Sequence, residues 1–143
     1  ILLGNEAGVP AVPAAFGTEA VIEDFGTGDD GLLNLQVRGA RRFHVERTRV
    51  RDNGLIIGDV RWCEADLDDG LRPEHALLAT VLQHFLEKAG GEHSKVSNAR
   101  FDDAAWVGWR LAEFLPLEDA QRLSILQEDD PHERLSLLLQ LMP

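Results

Sequence analysis

The strongest constraint in this sequence is a change of period. From Phe16 to Cys63 apolar and polar residues alternate, and from about Pro73 onward apolar residues recur at helical spacing. Alternation fits a strand with one buried face, because successive side chains point to opposite sides; a 3.6-residue period marks an amphipathic helix. Leu33, Leu35 and Val37 alternate with Asn34, Gln36 and Arg38, and Phe43 and Val45 alternate with Arg42, His44 and Glu46. Ile56, Val60 and Trp62 share one parity while Asp59 and Arg61 share the other. The breaks are turn chemistry: Gly26-Thr27-Gly28-Asp29-Asp30-Gly31, the single Gly39, and Asp52-Asn53-Gly54. Together they predict strands near 18–25, 31–39, 41–51 and 54–62. Short connections force antiparallel neighbours, so a meander curling into a small barrel-like sheet is expected.

The acidic stretch Cys63–Gly70 has neither period and reads as a connection. Leu77, Leu78, Val81, Leu82 and Phe85 then form a stripe on a helix that starts near Pro73 and ends at Gly90-Gly91. Asp102 is placed to cap a second helix carrying Trp106, Val107, Trp109, Leu111, Phe114 and Leu115, closed by Pro116. A third helix over roughly 118–127 presents Ala120, Leu123 and Leu126. The fourth has Asp130 as cap, Pro131 at the first helical position, Glu133 reaching back, and Leu135, Leu138, Leu139 and Met142 as its stripe. The expected organisation is α+β: a β subdomain over 1–63, a linker over 64–72 and a helical subdomain over 73–143.

A chain of 143 residues with 44% hydrophobic and 27% charged residues is long and apolar enough to bury a core. Its net charge of −11 repels phosphate backbones at long range and argues against generic nucleic-acid binding. The single cysteine, Cys63, excludes an internal disulfide framework and agrees with a reducing cytoplasm. No apolar run approaches the length of a membrane span.

Motifs that would carry catalysis fail on context. Gly26–Gly31 matches G-x-G-x-x-G, but a strand follows where a helix is needed, and Asp29 and Asp30 would face the phosphates. There is no P-loop. The histidines His44, His75, His84, His93 and His132 offer no i, i+3 or i, i+4 pair for a metal, and read as surface or helix-end residues. Ser94, Ser97, Ser124 and Ser136 lack a nucleophile elbow. The acid pairs Asp68-Asp69, Asp102-Asp103 and Asp129-Asp130 suit turns and helix starts. No cofactor and no metal are expected.

One electrostatic feature stands apart. Residues 38–61 hold seven arginines against three acids, while residues 1–37 hold six acids and no Lys or Arg. Arg47, Arg49 and Arg51 alternate along one strand and so share a face, with Arg42 and Arg61 as neighbours. Salt-bridging on a solvated face accounts for such a stripe, and so does docking of an acidic partner. An RNA-binding version lacks interleaved aromatics for base stacking.

The stretch Asp102-Asp103-Ala104-Ala105-Trp106-Val107-Gly108-Trp109-Arg110-Leu111-Ala112-Glu113-Phe114-Leu115-Pro116-Leu117 resembles the N-terminal substrate-binding domain of ATP-dependent Lon proteases, in its stand-alone bacterial form. Gln121-Arg122-Leu123, the run Leu126–Leu135, Phe16-Gly17-Thr18, Ile22–Phe25 and Val37–Phe43 extend the resemblance over nearly the whole chain. It implies a PUA-like barrel followed by a helical bundle, recognition of unfolded protein or peptide segments, and no catalytic module in this chain. The family's opening strands have no counterpart ahead of Phe16, so an incomplete β subdomain is expected, with an uncovered sheet edge through which copies would pair. Candidate contact residues are Arg42, Phe43, Arg47, Arg49, Arg51, Trp62, Trp106, Trp109 and Arg110, around an apolar groove where sheet meets helices; Phe114 is a further aromatic there. The competing class is a PUA-like nucleic-acid-binding module using the arginine strand.

Overall fold

A computed structural model describes residues 2–3 and 12–142, with side chains for 13–91 and 94–142. Two compact units divide it, residues 1–65 and 66–143. The first unit holds a short antiparallel pair, β1 (Leu2–Leu3) and β2 (Val12–Pro13), and a three-stranded antiparallel sheet in the order β3 (Phe16–Thr27), β4 (Leu33–Val50), β5 (Ile56–Trp62). The meander is as expected, but among the described residues the sheet is open rather than a closed barrel.

Both hairpins turn where the sequence places them. Gly31 and Gly54 have φ of 77° and 86°, a region that costs any residue with a Cβ. Asp30 and Asn53 side chains each accept from the backbone two residues on, at Leu32 and Leu55. Gly39 does not turn the chain. The two strands expected at 31–39 and 41–51 are one strand, β4, 18 residues long. A two-residue reversal needs positive φ at its centre, and Gly39 has none. The irregularity there is a bulge: Thr18 faces Arg42 but Ala20 faces Gly39, so β4 carries one extra residue.

The second unit holds α1 (Ala76–Ala89), α2 (Ala104–Phe114), α3 (Asp119–Gln127) and α4 (Pro131–Leu141). Of the thirteen buried hydrophobic side chains among the described residues, all but Ala14 lie in this unit, so the core is helical. Leu78, Leu82 and Leu86 of α1 pack with Val107 and Leu111 of α2 and Leu135 and Leu138 of α4. Leu78, Leu82, Val81 and Phe85 of the expected stripe lie in or against the core, with Leu86 added, and Leu77 alone of the five is exposed. On α3 the buried residue is Ile125 rather than Ala120, Leu123 or Leu126. Capping differs in two places. Asp103, not Asp102, accepts from the Trp106 amide at 3.3 Å, because Asp102 closes a preceding 3-10 turn. Asp130 caps α4 as expected, accepting from the His132 amide at 2.9 Å, but its own N–H donates to Glu128 at 3.1 Å instead of Glu133.

Candidate functional site

Register decides what each face of the sheet carries, and three bulges set the register. Between Val45 and Arg47 the pairing with β5 slips by one residue, since Val45 faces Val60 and Arg47 faces Asp59. A slip of one residue exchanges the faces. Before the bulge at Glu46, His44 lies opposite Arg61 and Arg42 opposite Thr18; after it, Arg47 and Arg49 lie opposite Asp59 and Ile57. Arg42, His44, Arg47, Arg49 and Arg61 therefore share one face. Phe43, Val45, Val60 and Trp62 take the other face, joined beyond the bulge by Thr48, Val50 and Ile56. Without the bulge Arg47 and Arg49 would stand beside Phe43 and Val45. Arg51 lies just past the end of β4, where its backbone closes the hairpin with Leu55 and Gly54.

The same parity count, carried through the bulges at β4 residues 40–41 and at Glu23, puts Ile22, Phe25, Leu33, Leu35 and Val37 on the arginine face. All five are exposed, from 52% for Leu35 and Val37 to 73% for Phe25. The alternation of Leu33, Leu35 and Val37 was expected to mark a buried face, and the structure corrects this. Period shows which residues share a side; it does not supply the layer that would cover them. These residues are absent from the sequence-derived candidates, although their alternation was visible there. Contiguous exposed apolar side chains of this kind are uncommon on surfaces without a binding role.

The opposite face is built differently. Phe43 is half-buried, its ring seated over Gly17 and edge-on to Trp62 at 6.0 Å. The Arg41 guanidinium lies 3.6 Å from the Trp62 ring centre and pairs with Glu19 at 3.2 Å. This hydrogen bond from Arg41 holds the Glu19 carboxyl below the ordinary glutamate value. Arg38 pairs with Glu23 at 2.6 Å. On the arginine face, by contrast, Arg47 reaches Asp59 only at 3.9 Å and is 84% exposed. Arg49 and Arg61 are exposed and have no ion pair among the described residues. Arg42 is half-buried there.

In the helical unit the candidates are tied into internal structure. The Trp109 indole N–H donates to Asp66 Oδ2 at 2.7 Å, and the Arg134 guanidinium covers the ring at 3.9 Å. Trp106 packs edge-on to Phe101 at 5.4 Å, and Arg110 pairs with Glu113 at 2.9 Å. Phe114 stacks on Phe85 at 5.7 Å. His75 and His132 stand at helix starts, as expected, but are buried rather than on the surface. His75 Nε2 meets Ser136 Oγ at 3.1 Å, His132 Nε2 meets Asp69 Oδ2 at 3.2 Å, and the two rings lie parallel with centres 6.5 Å apart. Asp66 and Asp69, read as part of a connection, are thereby fastened to α2 and α4. Cys63 is a half-buried free thiol, and no helix among the described residues is long and apolar enough to cross a membrane.

An antiparallel sheet followed by helices, with one sheet face divided into an apolar and a basic half, is an α+β architecture. The chain belongs to the family of the substrate-binding domain of ATP-dependent protease La (LON), whose model matches residues 9–143. It is similar to the crystal structure of a Lon N-terminal domain protein from Xanthomonas campestris, with 61% identity and a TM-score of 0.79 over 92% of this chain and 70% of that one. It shares the fold of the N-terminal domain of a Mycobacterium avium complex Lon protease at 20% identity and a TM-score of 0.60, over 88% of this chain and 68% of that one. No curated protein is similar enough to count as a match.

Proposed function

We propose that this chain is a non-catalytic, cytoplasmic recognition module that binds unfolded protein or peptide segments, and that the arginine-bearing face of its sheet is the binding surface. The observation that carries the reading is the exposed block of Ile22, Phe25, Leu33, Leu35 and Val37 on one side of the β3–β4 hairpin. Fully burying a side chain of this size gains about 1.5–3 kcal/mol. More than half of each remains to be buried, so a partner covering several of them recovers enough free energy for micromolar binding even after ordering costs. Membership of a substrate-binding family agrees with this role. An extended partner also has backbone groups to pair along the outer edges of β3 and β5, where the three-stranded sheet has no further neighbour among the described residues.

The test is binding of a chemically unfolded model protein, measured by fluorescence anisotropy, to the native chain and to Leu35→Asp and Val37→Asp variants. Binding in the micromolar range that each substitution weakens about tenfold or more supports the reading, since one lost contact of this size is worth on the order of 1.4 kcal/mol. Binding unaffected by both substitutions, or absent altogether, would sink it.

A further inference from the structure

The recognition surface is divided by charge as well as by polarity, and the division specifies the partner. Its hairpin end is apolar, while its far end carries Arg42, Arg47, Arg49 and Arg61 on the same face. The bulge at Glu46 is what turns Arg47 and Arg49 toward this side. Where arginines stand on the other face the sheet neutralises them locally: Arg41 has Glu19 at 3.2 Å. On the recognition face Arg47 has Asp59 at 3.9 Å, while Arg49 and Arg61 have no ion pair among the described residues. At Arg49 and Arg61 the sheet therefore presents positive charge that no described side chain balances, in a chain whose net charge is −11.

We infer that the occupant of this face is an extended protein segment with apolar residues at one end and carboxylates at the other, the latter paired with Arg49 and Arg61; this rests on the recognition role proposed above. Arg61 lies opposite His44, seven positions from Val37 on β4, and Arg49 is twelve positions from Val37. At about 3.3 Å per residue, the acids of an extended ligand fall roughly seven to twelve residues from its apolar block. A polyphosphate chain would engage the arginines and leave the apolar half uncovered. An uncharged apolar segment would do the reverse. Only a segment bearing both satisfies the whole face, and exposed charge pairs of this kind set partner choice and association rate more than total affinity.

Three labelled peptides of one apolar block, followed by glutamate-, glutamine- or lysine-containing tails, titrated against the full chain provide the test. The acidic tail should bind about tenfold or more tighter than the basic one at low salt, with the gap closing as salt shortens the screening length. Arg49→Glu with Arg61→Glu should reverse the order, and Arg122→Glu, on α3 in the helical unit, should leave it unchanged. Circular dichroism confirms that the exposed substitutions leave the fold intact. Equal binding of all three tails overturns the charge rule while leaving the recognition role standing; no binding of any peptide overturns both. Tight binding of an acidic tail lacking the apolar block, or of single-stranded RNA in preference to the peptides, also overturns the inference. So does a concentration-dependent dimer that the peptides fail to compete apart, because the occupant would then be a second copy of the chain.

Discussion

Arg134 on α4 is fully buried and sets its Nη2 2.7 Å from Oδ1 of Asp66, the first residue of the helical unit. Trp109 donates to the second oxygen of the same carboxylate while its ring lies under the guanidinium, and Arg134 Nη1 donates to the Glu128 carbonyl at 2.8 Å. One acidic residue, which the sequence shows as part of an aperiodic acidic stretch, thus orders the start of the unit against two helices.

Removing one partner of this pair should be far more damaging than removing both. Asp66→Ala leaves a buried guanidinium without its countercharge, for which about 3–5 kcal/mol of destabilisation is expected. Arg134→Met with Asp66→Leu replaces the pair by apolar volume and should recover most of that loss. Urea unfolding of the single and double variants measures both, and an additive double variant would contradict this account.

Gly17 is required by the ring above it. A Cβ there would stand 2.5 Å from Phe43 Cζ and 2.8 Å from Cε2, so Gly17→Ala should cost about 1–3 kcal/mol by overpacking. Combining it with Phe43→Leu, which removes the ring, should give a smaller loss than the two single changes added together. Thermal unfolding of the set tests the coupling.

Two glycines with open space around them should respond oppositely. Gly54 has φ of 86°, so Gly54→Ala should lose about 1–2 kcal/mol through backbone strain alone. Gly26 has no positive φ and nothing within 4 Å of an added Cβ, so Gly26→Ala should be neutral or slightly stabilising. Comparing their midpoints of denaturation decides it.

The Glu19–Arg41 pair should give the sheet unit a weak acid sensitivity. Because Arg41 holds the folded-state Glu19 carboxyl below its unfolded value, its contribution is present above the ordinary glutamate value of about 4.3. It is lost as pH falls through the lowered folded-state value. Glu19→Gln should therefore lower stability slightly at neutral pH and flatten its acid dependence, while the two proteins converge at the acid end. Unfolding curves from neutral pH down through the carboxylate range provide the measurement; parallel curves would refute it.

Local chemistry made much of the molecule legible. The change of period, the turns at Gly31 and Gly54, the stop at Pro116 and the Asp130-Pro131 start of α4 depend on a few neighbouring residues and stand in the structure. The errors fall where a distant partner decides. Gly39 reads as a turn until Ala20 is seen opposite it, and His75 and His132, read as surface or helix-end residues, do stand at helix starts, but their burial shows only once Ser136 and Asp69 are placed beside them. The α1 stripe stands except at Leu77, which is exposed while Leu86 is buried, because the facing helices set the edge of the buried side.

The sequence alone determined that strands precede helices, the hairpin turns at Gly31 and Gly54 and the concentration of arginines in the middle third, because these follow from period, turn residues and composition along the chain. Only the tertiary structure decided which side of the sheet the arginines face, that they share it with Ile22, Phe25, Leu33, Leu35 and Val37, and that these five side chains are exposed. The reason is physical: a bulge is a mismatch between two strands, and the exchange of faces it causes exists only once the strands have paired.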